Sequence, residues 1–199
     1  DSKIYVLCPS GIVTGGIEAV HQLVDKLRQY GHAAFIVPVP AVNNPLLLQY
    51  RNYAVAFARE VVDSPQNLLI TTEVNPKALD QYRFIQKAIW WLSVDFHEKL
   101  PDKFDFNHPD SKGVSHFVQS AYAAAYLRDH AISSMEYLTD YLHAEYLKPC
   151  RRQRKNDLVL YTPVKGAQIY IDHLKLIDPS IQWLALSGMI RKQHARVMR

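Results

Sequence analysis

The chain has 199 residues, with 23 Lys and Arg against 19 Asp and Glu, a net charge of +4. Hydrophobic residues at 48% and charged residues at 21% are ordinary globular proportions, which excludes a disordered tail, a collagen-like fibre and a coiled-coil rod. The length suits one large domain, or one medium domain plus a piece of another, and a chain near this size hides roughly 70% of its unfolded surface.

Lys3 to Cys8 is a short apolar run rich in strand formers, closed by Pro9 and Ser10 and followed by Gly11, Gly15 and Gly16. A buried parallel strand entering a glycine-containing turn has this form. From Ile17 the pattern turns helical: Ile17, Val20, Leu23, Val24 and Leu27 line one face, and Gly31 is the expected left-handed cap. Ala33 to Val39 is a second strand, stopped by Pro38 and Pro40. Leu46 to Val62 reads as a second helix, Asn67 to Val74 as a third strand, Ala78 to Lys87 as a short helix and Ala88 to Val94 as a fourth strand. Asp95 to Lys112 is polar, holds Pro101 and Pro109, and is expected to be a long loop. Gly113 to Gln119 is a fifth strand, and Ser120 caps a helix through Arg128, its hydroxyl taking an orphan amide. The alternation predicts an α/β fold with a parallel sheet and helices on both faces.

Asp140 to Asn156 breaks the rhythm with Pro149 and the basic run Arg151, Arg152, Arg154 and Lys155. It reads as the passage between two domains. The expected boundaries are an N-terminal domain over 1–145, a linker over 146–156 and a partial C-terminal domain over 157–199. There the pattern restarts: strand Leu158 to Tyr161, a turn at 162–166, helix Ala167 to Ile177, strand Ile181 to Leu186, and a further helix from Arg191 to Met198.

Cys8 and Cys150 make no disulfide framework and point to a reducing compartment. No apolar run approaches the roughly 20 residues of a membrane helix. The opening residues Asp1 to Leu7 lack a basic stretch leading into an apolar one, so the expected location is the cytoplasm. A modestly basic surface suits the inner face of a membrane or a phosphorylated small molecule as well as nucleic acid. The basic run carries little aromatic interleaving and no nucleic-acid motif, so no nucleic-acid partner is expected.

Chemistry concentrates at three places. Ser10 to Glu18 puts Gly15 and Gly16 where a strand meets a helix N-terminus, with exposed amides and the positive end of a dipole ready for an anion. The glycines miss the dinucleotide fingerprint, and no Gly-Lys-Ser/Thr follows them. A tight turn using glycines for backbone geometry alone accounts for them equally well. Lys165 and Gly166 form a second strand-to-helix turn, where a lysine either neutralises a phosphate or is merely solvated. Asp95, His97 and Glu98 follow the fourth strand, where a carboxylate or imidazole can act as a general base, though each has an ordinary structural role open to it. His116 is expected in the core. Trp90 and Trp91, adjacent in a strand, should point to opposite faces. Metal-ligand spacings are absent, as is a nucleophile elbow.

Taken in order, Lys3 to Pro9, Thr14-Gly-Gly-Ile-Glu18, Tyr137 to Leu142, Leu160 to Gly166 and Trp183 to Met189 resemble a bacterial subgroup of GT-B glycosyltransferases, which often carry a Gly-Gly-x-Glu turn after the first strand. The resemblance covers nearly the whole chain. It implies two Rossmann-like domains facing a cleft, with a nucleotide-sugar donor held mainly by the second and a glycan or lipid-linked acceptor mainly by the first. It implies no metal and no other cofactor. By position, Gly15 and Gly16 would line the cleft near the reacting centre. Lys165 and Gly166 would meet the donor diphosphate, and Asp95 or His97 would serve the acceptor as a base. The family's second domain continues with further strands, so the chain is expected to be an N-terminal domain plus a truncated C-terminal one. The implied role is transfer of a sugar to a hydroxyl, in cell-surface polysaccharide synthesis, with peripheral contact at the membrane. The competing reading is a non-catalytic Rossmann-like module binding a nucleotide or a protein. A dinucleotide-dependent oxidoreductase is disfavoured by the glycine spacing.

Overall fold

Alternating apolar residues set the first strand, β1 (Lys3–Pro9), whose Tyr5 and Leu7 point to one face and whose Val6 and Cys8 point to the other. The computed structural model describes residues 2–42, 47–149, 158–161 and 167–186. It divides into two compact units, Asp1–Tyr141 and Leu142–Arg199.

In the first unit β1 is followed by α1 (Gly15–Gln29), β2 (Ala33–Val39), β3 (Leu68–Thr72), β4 (Gln86–Trp91), α2 (Val94–His97), β5 (Val114–Val118), α3 (Ala121–Asp129) and β6 (Glu136–Tyr137). The six strands pair in parallel in the order β2-β1-β3-β4-β5-β6. On one face α1 buries Ile17, Val20 and Val24 against Val6, Ile36 and Ile70. On the other, α3 buries Ala123, Ala124 and Leu127 against Leu69, Ile89 and Val118. The architecture is thus α/β, a Rossmann-like parallel sheet with helices on both faces. Trp90 lies in the cluster under α1 and Trp91 in the cluster under α3, each at most 1% exposed. Rings of this size bury roughly 150–250 Å² and contribute about 4–6 kcal/mol each.

Helix ends follow local chemistry. Thr14 caps α1, its Oγ1 accepting the Ile17 amide at 3.3 Å. Gly31 leaves the helix at φ +87°. Ser120 caps α3, accepting the Ala123 amide at 3.2 Å.

Four expectations are corrected. The helix over Leu46 to Val62 does not form among its described residues. A single 3-10 turn at Leu48–Tyr50 is followed by extended chain, and Phe57 bridges to Ile36 in parallel. The Ile36 amide donates to Ala56 O at 2.8 Å and the Ala58 amide to Ile36 O at 2.9 Å. Those bonds cover an otherwise open edge of β2, and Tyr53, Val55 and Phe57 face α1's side at a period of two, not 3.6.

The helix over Ala78 to Lys87 is replaced by a 3-10 turn at Pro76–Gln81 and by extended chain leading into β4. Asp63 forces the extension: its carboxylate accepts the amides of Arg83, Phe84 and Ile85 at 2.8, 2.9 and 2.8 Å. The fourth strand therefore begins earlier than Ala88 and ends at Trp91, and Val94 opens α2. The long loop from Asp95 contains most of that short helix and a 3-10 turn at Pro109–Gly113.

In the second unit β7 (Leu158–Tyr161) and β8 (Gln182–Ala185) pair in parallel, joined through α4 (Ala167–Ile177). The Tyr161 and Trp183 rings meet edge to face at 6.2 Å. The turn at 162–166 and the helix expected from Arg191 lie outside the described residues.

His116 is buried as expected, at 5% exposure, and its Nδ1 accepts the indole N–H of Trp91 at 3.0 Å. Burial pulls its pKa down to about 4 and also lowers that of His97. The unfolded chain, with histidines near 6.5, takes up protons first as the pH drops. Stability is therefore complete above about pH 6.5 and falls toward pH 4. Urea unfolding across that range should show the decline. His116→Phe should flatten it while lowering stability at pH 7, because the Trp91 donor loses its acceptor at a cost of about 1–3 kcal/mol.

Candidate functional site

In a parallel sheet, ligands meet the chain beyond the carboxyl ends of the strands, where the strand order reverses. Here the reversal lies at β1 and β3: the chain leaves β1 for β2 on one side and returns from β2 to β3 on the other. The Ser10–Thr14 loop, the start of α1, Glu73 after β3 and Leu92-Ser93 after β4 all follow strand ends at this edge.

The loop is tied from below. The Ser10 amide donates to Val39 O at 2.9 Å and its hydroxyl donates to Pro40 O at 2.7 Å. Gly11 sits at φ +75°, a conformation in which a side chain is strained. The start of α1 is held by two tyrosines: Tyr50 donates to Thr14 O at 3.3 Å, and Tyr53 donates to Glu18 Oε1 at 2.6 Å. Gly15 and Gly16 open the helix without a left-handed φ. A Cβ on Gly15 would meet nothing within 4 Å. One on Gly16 would touch the Leu92 Cδ1 at 3.4 Å, an ordinary contact. Neither backbone geometry nor crowding within the protein therefore requires glycine at 15 or 16. Of the glycines around this turn, Gly11 is the one whose conformation demands it.

Glu73 is a residue the sequence reading missed. It is 2% exposed, and its Oε2 accepts the Leu92 amide at 2.9 Å. Burial raises its pKa, opposed by the amides of Leu92, Glu73 and Ser93. The carboxylate thus braces the end of β3 against Leu92, the residue after β4 whose side chain faces Gly16. A charged residue inside the apolar run expected as the third strand was the available signal, but nothing in the spacing distinguished it from a solvated side chain.

Asp95 and His97 share α2 but face different ways. Asp95 is exposed, and its Oδ1 accepts the Tyr122 hydroxyl at 2.6 Å. His97 is 1% exposed with both ring nitrogens engaged. Its Nε2 accepts the Phe104 amide at 2.9 Å, which leaves the proton on Nδ1 to donate to the Tyr126 hydroxyl at 3.1 Å. Tyr126 in turn donates to Glu98 Oε1, and Lys103 donates to Glu98 Oε2 at 2.8 Å. Those two partners draw the Glu98 pKa down to about 2, and the same bond, with burial, pushes the Tyr126 phenol up. His97 stitches the turn after α2 to α3, and Asp95 remains the carboxylate open to solvent.

Lys165 and Gly166 lie outside the described residues. Among the described residues, no three His, Cys, Asp or Glu side chains converge as a metal site requires. Compared with protein-family models, curated proteins and solved structures, the chain matches none.

The buried Glu73 gives a direct test. Its raised pKa means that the folded state holds its proton more tightly than the unfolded one, so its ionisation subtracts stability as pH rises above the ordinary carboxylate range. Glu73→Gln keeps an acceptor for the Leu92 amide without the charge, and its thermal midpoint at pH 7 should exceed the parent's. Glu73→Ala leaves that amide unpaired and should cost about 1–3 kcal/mol in urea unfolding.

Proposed function

We propose that the chain is a nucleotide-sugar-dependent glycosyltransferase that moves a sugar to a hydroxyl acceptor, a step suited to cell-surface polysaccharide synthesis. The observation that carries this reading is the pair Gly15-Gly16, without a conformational or packing need for glycine, at the first turn of the helix beside the sheet's point of reversal. Glycines there keep the approach to the α1 amides clear for an anion. In the transfer, the acceptor oxygen bonds to the anomeric carbon and the bond from that carbon to the diphosphate oxygen breaks. The diphosphate leaves with the electron pair, and the acceptor's proton passes to a base. Fixed positive groups placed where charge develops on the diphosphate lower the barrier. Gly15 and Gly16 would offer amides for this; Lys165 and Gly166, expected to meet the diphosphate, lie outside the described residues. Asp95, exposed at the same edge, fits the base; His97 would have to give up the Phe104 or Tyr126 bond to do so.

No helix among the described residues is long and apolar enough to cross a membrane. A lipid-linked acceptor would in this reading be met by peripheral contact.

A thermal-shift screen against UDP, GDP, ADP, CMP and their sugars tests the reading. One nucleotide should raise the midpoint, since a ligand at about 100 times its Kd adds roughly 2.7 kcal/mol. Lys165→Ala should weaken that shift. Gly15→Ala should itself stabilise the free protein by about 0.4–1 kcal/mol while reducing nucleotide binding. Binding with no donor hydrolysis by the full chain would favour the non-catalytic module, and no shift with any nucleotide would remove the transferase and leave only a protein-binding module.

A further inference from the structure

After β6 the chain runs along the α1 side of the sheet, and the first unit ends at Tyr141. The Leu138 amide donates to Val118 O at 3.0 Å, and Leu138 packs into the cluster that holds Trp90. Beyond that bond the ties come from side chains on three separate parts of the unit. The Trp90 indole N–H, on β4, donates to Leu138 O at 2.8 Å. Gln119, just after β5, donates from Nε2 to Asp140 Oδ1 at 2.9 Å. Gln22 of α1 engages both backbone groups of Tyr141: its Nε2 donates to Tyr141 O at 2.9 Å and its Oε1 accepts the Tyr141 amide at 3.2 Å. A carbonyl can only accept and an amide N–H can only donate, so the pair fixes which end of the Gln22 amide is which. Lys26, one turn further along α1, lies 5.4 Å from the centre of the Tyr141 ring.

The anchor and the anchored segment differ in how firmly they are held. Gln22 is 4% exposed, and its Nε2 also donates to Tyr53 Oη at 3.4 Å, which in turn donates to Glu18. The anchored segment rests on little: Leu138 is partly buried, while Thr139, Asp140 and Tyr141 are exposed. Segments with little buried apolar area and solvent-facing hydrogen bonds open at a lower free energy than the core beneath them.

We propose that residues 138–141 form a strap that leaves the α1 side as one cooperative unit without unfolding the sheet, with Gln22 as its latch. Closed, the strap covers the Trp90 indole N–H and fixes Tyr141 as the point where the chain departs from the first unit. Open, that point retreats to Tyr137, and the four freed residues add about 13 Å of reach to the chain that leads on. The ties act together because they fall on residues 138, 140 and 141 of one short stretch. Once the latch lets go, the remaining ties must order the same chain without it. The inference does not depend on the transferase reading.

The test is hydrogen exchange of backbone amides and indole N–H groups in the full chain, followed by NMR. In the parent, the Leu138 and Tyr141 amides and the Trp90 indole should be protected, but at least about 100-fold less than the Val6 and Ile70 amides of the sheet. Gln22→Leu should speed exchange at Tyr141 about tenfold, the equivalent of one lost hydrogen bond. It should speed the Trp90 indole by a similar factor, although no hydrogen bond joins Gln22 to Trp90. Gln119→Ala removes the tie to Asp140 at the surface and should speed both groups by about twofold to fivefold, so it decides the matter even where Gln22→Leu fails to fold. Three results overturn the proposal. The first is acceleration confined to Tyr141 in Gln22→Leu, or absent at both groups in Gln119→Ala. The second is parent exchange at Leu138, Tyr141 and the Trp90 indole as slow as at Val6 and Ile70. The third is an unprotected Tyr141 amide in the parent.

Discussion

β1 pairs with β2 along its whole length and with β3 through Ile4, Tyr5 and Val6, and the geometry of the first unit follows from that double ladder. β1 is an interior strand of a parallel sheet packed on both faces, so its side chains are buried and apolar on both. The same pairing places the reversal of strand order at β1 and so delivers α1's first turn to the carboxyl edge of the sheet. Gly15 and Gly16 owe their setting to this, not to their own spacing.

Elsewhere in the first unit, polar side chains hold irregular backbone and loops in place. Asp63 gives its two oxygens to three successive amides. Asp25 accepts the Ala54 amide at 2.8 Å and steadies the extended segment below Tyr53. His97, Tyr126 and Glu98 form one chain of donors and acceptors that ends on Lys103 at the surface. Such networks hold loops in one arrangement because each unpaired member would cost more than its bond returns. Glu73 is of the same kind but differs in its environment: it is a buried acid whose proton is held more tightly in the folded protein.

The two histidines the sequence singled out occupy similar surroundings for different reasons. His116 serves Trp91, and His97 serves a loop and a helix. Their rings join a cluster with Trp91, Phe104, Phe106 and Tyr126, packed largely edge to face, which closes the α3 face of the sheet. His21, under α1, has a buried Nε2 with no hydrogen-bond partner among the described residues.

Local chemistry in the sequence was enough to place β1, β2, β3 and β5, the cap at Ser120, the left-handed exit at Gly31 and the opposed placement of Trp90 and Trp91, while the short β6 was not read at all. Each depends on neighbours within a few residues, and a period of two or an unpaired amide is visible over that range. The segment after Tyr50 was not legible, because its apolar residues suit either period and the open edge of β2 decided between them. The extended stretch before β4 was decided by Asp63, some twenty residues away. The separation of Asp95 from His97, the burial of Glu73 and the empty nitrogen of His21 were likewise set by tertiary packing. Whether a polar side chain faces water or core depends on what the rest of the chain brings against it, and no spacing in the sequence records that.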